Sequence, residues 1–101
     1  MKIVWRKSAI TSLLELDRWR KSIDLPPVAS YLKDTIQFYF DKQDFSIYIP
    51  GRHVLIRQMP LDLRIVLIPI GKSDPYKVYY RITTNQIELF LIRHPLQKAI
   101  E

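Results

Sequence analysis

Four side chains in the second half of the chain have the chemistry to act on a phosphate. Arg64 lies within LDLRIVLIPI, Arg81 within YKVYYRI, and the apolar stretch QIELFLIRH closes on Arg93 and His94 just before Pro95. Arginine is permanently charged and presents a planar fork of donors that matches phosphate oxygens in pairs. Histidine is the side chain whose ordinary pKa lets it exchange protons near neutrality. Together such groups supply charge stabilisation and proton transfer without a metal, so Arg64, Arg81 and His94 are the candidate catalytic residues. Strand alternation along Tyr76 to Ile82 puts Lys77, Tyr79 and Arg81 on one face and Val78, Tyr80 and Ile82 on the other. Cations beside an aromatic ring suit phosphates and stacked bases, which makes Lys77, Tyr79 and Arg93 candidates for binding a nucleic acid or another target. Arg93 and His94, as strand neighbours, point to opposite faces and do not easily serve one pocket.

Plainer roles compete with each assignment. His94 at a strand end can be a solvated or hydrogen-bonded structural residue, and strand arginines often cover a sheet with their aliphatic stems. Tyr79 and Tyr80 can simply pack. His53, beside Arg52, reads as a solvated loop residue.

Several elements must position these groups. KIVWRK, Lys2 to Lys7, is rich in β-branched and aromatic residues and suits a first strand. From Ala9 to Ile23 the residues Ile10, Leu13, Leu14 and Leu16 fall on one side of a helical wheel, with Asp17 and Lys21 as an i,i+4 pair. Asp24 and Pro26-Pro27 interrupt it, and a second helix carries Val28, Leu32, Ile36 and Tyr39 down to about Asp41. The two should form a hairpin covering a sheet. Phe45 to Ile49 alternates like a strand, Pro50-Gly51 breaks it, and His53 to Gln58 could be another. Leu61 to Ile70 reads as a central strand and Gly71 to Pro75 as a turn. Tyr76 to Ile82 and Ile87 to His94 form a hairpin around Thr83 to Gln86, with the last strand apolar on both faces. The expected fold is α+β, in the order β-α-α-β-β-β, with a helical hairpin on a mostly antiparallel sheet and an optional hairpin at Phe45 to Gln58.

The chain of 101 residues is long enough for one core, and its 48% hydrophobic and 26% charged content fits an ordinary folded domain spanning 1–101. No cysteine is present, so there is no disulfide framework, thiolate nucleophile or cysteine zinc site, and two distant histidines without an HExxH pattern support no metal; no cofactor is expected. No apolar run approaches the roughly 20 residues of a membrane span. The charged N-terminus MKIVWRKSAI is unlike a signal peptide, so a cytoplasmic location away from membranes is expected. The net charge of +6 calls for an acidic partner, and the excess is concentrated in residues 51–101, where eight Lys and Arg face four acids, against eight and six before them.

The strand MKIVW, the helical hairpin, Asp62-Leu63-Arg64, the stretch Tyr76 to Ile82 and Leu91-Ile92-Arg93-His94, in that order, resemble the RelE/ParE superfamily of bacterial toxins from toxin–antitoxin modules. The resemblance covers nearly the whole chain through the order and spacing of loose motifs, except that Phe45 to Gln58 is longer and more strand-like than the family pattern. It implies a small basic toxin silenced by an acidic antitoxin that wraps it, alone as a homodimer or within a toxin–antitoxin hetero-oligomer. The ParE-like branch poisons DNA gyrase, whereas the RelE-like branch cleaves mRNA on the ribosome. The YYRI to IRH stretch looks closer to the ParE-like branch. The ribonuclease branch usually adds lysines near the second helix and a C-terminal tyrosine or histidine; here only Lys33 and Lys42 lie on or just after that helix, and no tyrosine follows His94. A growth inhibitor of gyrase type is therefore the leading expectation, with a metal-free endoribonuclease and a non-toxic adaptor docking an acidic partner as alternatives. All share one geometric expectation, that Arg64 and Arg81 crowd onto one uncovered side of the sheet.

Overall fold

In the computed structural model, which describes residues 1–72 and 74–97, β1 (Lys2–Trp5) runs through Arg6 into α1 (Lys7–Ser22). After a proline-containing connection comes α2 (Ala29–Asp41), followed by β2 (Arg52–His53), β3 (Arg64–Ile68), β4 (Tyr76–Ile82) and β5 (Gln86–Arg93). The strands form one sheet in the order β1-β5-β4-β3-β2, antiparallel throughout except for the parallel β1–β5 pair. The architecture is thus α+β in the expected order, with β2 as a two-residue addition. The turn expected at Gly71 to Pro75 joins β3 to β4, and its Ser73 lies outside the described residues. No helix among the described residues is long and apolar enough to cross a membrane.

Both helices cover one face. Ala9, Leu13 and Leu16 of α1 and Leu32, Ile36 and Phe40 of α2 are buried against Val66, Ile68, Tyr76, Val78, Tyr80, Ile87, Leu89 and Ile92. Each fully buried Leu or Ile in such a layer contributes roughly 1.5 to 3 kcal/mol of transfer free energy. Leu14, expected on the buried stripe, is exposed, while Ser12 is buried in its place. The Ser12 hydroxyl donates to the Ala9 carbonyl and accepts the Ile92 amide of β5 at 3.0 Å, so its burial leaves no polar group unsatisfied. Asp17 does more than pair along its helix: Oδ1 accepts the amides of Val28 at 2.7 Å and Ala29 at 3.0 Å. It thereby caps α2 from α1 and fixes the hairpin angle, in a chain whose own N-cap, Val28, has no side-chain acceptor.

The segment between α2 and β3 departs from expectation. Phe45 to Ile49 forms no strand, and Phe45 to Ile47 is a turn, because Asp44 accepts both the amide and the hydroxyl of Ser46, and its carbonyl takes the amides of Ile47 and Tyr48. Strand pairing is confined to Arg52 and His53, opposite Ile65 and Arg64. Residues 54–63 then fold over the sheet face away from the helices, where Val54 and Leu63 are buried with Ile65, Tyr79 and Phe90 and are flanked by Ile56, Met59 and Leu91. β3 starts at Arg64 instead of Leu61, since the Leu63 amide turns back to the Pro60 carbonyl; Pro69, which has no amide to donate, follows its last residue. Between Tyr79 and Tyr80 the β4–β5 register slips: Tyr80 faces Leu89 and Tyr79 faces Leu91, leaving Phe90 as an extra residue in β5.

Candidate functional site

The paired register decides which side each candidate occupies. Ile65, Leu67, Lys77, Tyr79, Arg81, Glu88, Phe90, Leu91 and Arg93 take the face away from the helices, hereafter the outer face; Arg64, paired with the helix-side Tyr80, takes the other. The expected crowding of Arg64 and Arg81 on one uncovered side is therefore overturned: they point to opposite sides of the sheet. The reason is parity, since Arg64 is two residues from Val66 and four from Ile68, both of which the helices bury.

Arg64 is occupied by its own chain. Nε donates to the Pro50 carbonyl at 3.3 Å, and Nη2 to the carbonyls of Ile49 and Gly51 at 3.4 and 2.8 Å. The buried Tyr80 hydroxyl donates to the same Pro50 carbonyl, and burial pushes its pKa up to about 12. Arg64 and Tyr80 thus hold the strap that delivers Gly51 to the edge of β3. Gly51, at φ 81°, passes so close that a Cβ would lie 2.0 Å from the Ile65 carbonyl oxygen.

Arg81 sits at one end of the outer face. Its Nε donates to Glu88 Oε2, and Nη1 lies 3.7 Å from Asp62 Oδ1. Arg6 meets the other oxygen of Glu88 at 3.1 Å. Both guanidinium groups lie over the Phe90 ring, their central carbons 5.5 and 5.9 Å from its centroid. Glu88, its side chain only 7% exposed, is shared by two cations, and the Glu88 bond raises the Arg81 pKa further. This end of the face is neutralised by its own carboxylates.

His94 is on the helix side, its ring 4.9 Å from that of Trp19 and 5.0 Å from that of Tyr76. Nδ1 accepts the Leu96 amide at 3.0 Å, which assigns the neutral-form proton to Nε2. Burial first, then the nearby Arg20, lowers its pKa, with Asp74 opposing. Along β5 it is roughly 20 Å from Glu88, the anchor of Arg81, at about 3.3 Å per residue. Arg64, Arg81 and His94 do not form one site.

Tyr79 shares the face of Lys77 and Arg81 as alternation required, but residues 54–63 bury it completely, so it packs and does not stack on a base. What the structure does bring together is Lys77 and Arg93, directly opposite each other on β4 and β5. Leu67 is opposite Lys77 on its other side, and Arg52 stands next in the sheet, opposite Ile65. Gly51, Arg52, Ile65, Leu67 and Lys77 line a cleft of about 320 Å³. Its floor is aliphatic and its rim cationic.

Compared with known proteins, the chain matches no family model, no curated sequence and no solved structure. Its site therefore has to be read from its own geometry. Sequence reasoning missed Arg6 and Glu88, which need the parallel β1–β5 pairing to meet, and Gly51 and Arg52, which lie in the break between the two strands expected at Phe45 to Ile49 and His53 to Gln58. A signal did exist for Glu88: it is the only charge inside IELFLI, and a carboxylate in so apolar a strand requires a cation.

Proposed function

We propose that the chain is the toxin of a toxin–antitoxin pair, acting by binding an essential target of DNA gyrase type and silenced by an acidic antitoxin. The reading is supported by the element order, by the resemblance of the Tyr76 to Ile82 and Leu91 to His94 stretches to that class of toxins, and by the basic balance of the chain. The observation that carries the binding mode is the contrast on the sheet. Arg64, Arg81 and His94 are dispersed over the two faces, whereas Lys77 and Arg93 stand side by side on the outer face. Metal-free phosphodiester cleavage needs its proton donor, acceptor and cations within hydrogen-bond reach of one phosphate. Capturing an acidic surface needs only adjacent cations on an accessible face.

Inducible expression in a bacterial host tests this. Arrest of colony formation with a DNA-damage response, intact transcripts and no loss of arrest in His94→Ala is the expected result. Cleaved transcripts that disappear in Arg81→Ala would replace it with the ribonuclease reading, and expression without any growth defect would leave only an adaptor.

A further inference from the structure

We propose that the solvent face of the α1–α2 hairpin is a dimer interface, on which a second copy of this chain docks about a two-fold axis with α1 of each copy over α2 of the other. On α1 the residues Lys7, Thr11, Leu14, Arg18 and Lys21 recur at three- and four-residue steps on the side opposite the buried Ala9, Leu13 and Leu16, and all five are exposed. On α2, Tyr31, Asp34, Phe38 and Asp41 do the same opposite Leu32, Ile36 and Phe40. Leu14, Tyr31 and Phe38 are 53%, 58% and 62% exposed, so both stripes carry large apolar groups on the side where a surface helix is ordinarily polar.

Charge selects the occupant. The α1 stripe is basic and the α2 stripe acidic, and among the described residues the side chains of Lys7, Arg18, Lys21, Asp34 and Asp41 make no hydrogen bond or ion pair. The chain as a whole carries +6, yet residues 7–41 hold five Lys and Arg against five Asp and Glu. A nucleic acid or an acidic protein meets as much repulsion as attraction on so balanced a face, whereas a second copy brings the matching stripe. The register agrees. The bonds from Asp17 to the Val28 and Ala29 amides set residue 17 level with the start of α2. Counting away from that point along the two antiparallel helices puts Leu14 level with Tyr31, Thr11 with Asp34, and Lys7 with Phe38, within a turn of Asp41. Counting the other way puts Lys21 level with Asp24 in the connection. A two-fold axis along the helices keeps every residue at its own level while exchanging α1 for α2. Leu14 then meets the partner's Tyr31, Lys7 meets the partner's Phe38 and Asp41, and Lys21 meets the partner's Asp24, each contact occurring twice. The face is roughly 24 Å long, from the 16 residues of α1, and roughly 20 Å wide from two helix diameters, which is small for a specific interface. Association should therefore be weak, in the micromolar range.

The interface does not rest on the toxin reading and lies on the opposite side of the molecule from Lys77 and Arg93. Sedimentation velocity of the full chain from about 1 to 500 µM tests it. A monomer–dimer equilibrium is expected, about tenfold weaker in Lys7→Glu and in Asp41→Lys and restored in the double variant, where the pair is exchanged. The first turn of α1 has no acid and the last turn of α2 no base, so both substitutions suit their helix ends and the variants should fold, as parental melting curves of the dilute proteins would show. Leu14→Glu, at an exposed position, should weaken the dimer independently of these charges. A monomer at every concentration, oligomers larger than the dimer, single variants that associate like the parent, or a double variant no better than the single ones would each overturn the interface.

Discussion

Glu88 offers the sharpest test of how the outer face is built. Its carboxylate is buried, with Arg81 on one oxygen and Arg6 on the other. Replacing Arg81 by Met leaves the buried charge with Arg6 alone, whose side chain is 52% exposed and therefore a screened, weaker partner. A charge-assisted hydrogen bond contributes about 1.5 to 3 kcal/mol, and the Arg6 pair under about 1, so Arg81→Met should cost about 2 to 3 kcal/mol. At about 4 to 8 °C per kcal/mol for a chain of this size, the Tm should fall by about 10 to 20 °C. Adding Glu88→Leu removes the stranded carboxylate and fills its space with hydrocarbon. The double variant should then recover at least half the loss, because removing both partners of a buried pair is far milder than removing one. Thermal and urea unfolding of the two single variants and the double one form the assay. Costs that simply add, or an Arg81→Met variant as stable as the parent, would refute the shared-carboxylate account. The double variant also separates structure from function: if it folds and no longer arrests growth, Arg81 has a role beyond holding Glu88.

Three further outcomes follow from the same contacts. Tyr80→Phe removes a buried donor to the Pro50 carbonyl and should cost about 1 to 2 kcal/mol. Because the folded pKa of Tyr80 is raised to about 12 from 10, the unfolded chain releases that proton first; parental stability should decline as pH rises from 10 towards 12, and less steeply in Tyr80→Phe by urea denaturation. His94 has the opposite sense: its folded pKa is lowered, so the unfolded chain takes up the proton first as pH falls through 6.5, and stability should drop between pH 7.5 and 5. His94→Asn, which keeps an acceptor for the Leu96 amide, should flatten that drop in denaturation at the two pH values. Gly51→Ala combines a positive φ with a Cβ in the Ile65 carbonyl and should cost about 2 to 4 kcal/mol; an unchanged melting temperature would contradict the close approach.

The helices and the last three strands are legible in the sequence because their burial is periodic: Leu13 and Leu16, Leu32 and Ile36, and Val78 and Tyr80 recur at spacings that only one element type satisfies. Phe45 to Ile49 misleads because its alternation belongs to residues that mostly face solvent, and a single Asp44–Ser46 turn outweighs it. The candidate site is legible residue by residue but not as a constellation. Lys77 and Arg93 are singled out separately in the sequence, and their adjacency depends on inter-strand register. Arg64 is misplaced because the chain alone does not say which parity of β3 the helices cover. Asp17 shows the same limit, since its i,i+4 neighbour is visible in the sequence and its tertiary role at the start of α2 is not.

The extra Phe90 in β5 carries a consequence for the orientation of everything after it. Ile87 and Leu89 point toward the helices, and uninterrupted alternation would send Leu91 and Arg93 the same way; with one residue inserted, Ile92 takes the inward place and Arg93 turns out beside Lys77. Paired without that bulge, the same residues would turn the end of the strand inside out, drawing the Arg93 guanidinium into the oily layer and sending the His94 imidazole to the outer face. A single bulge therefore sets the electrical sign of this end of the molecule.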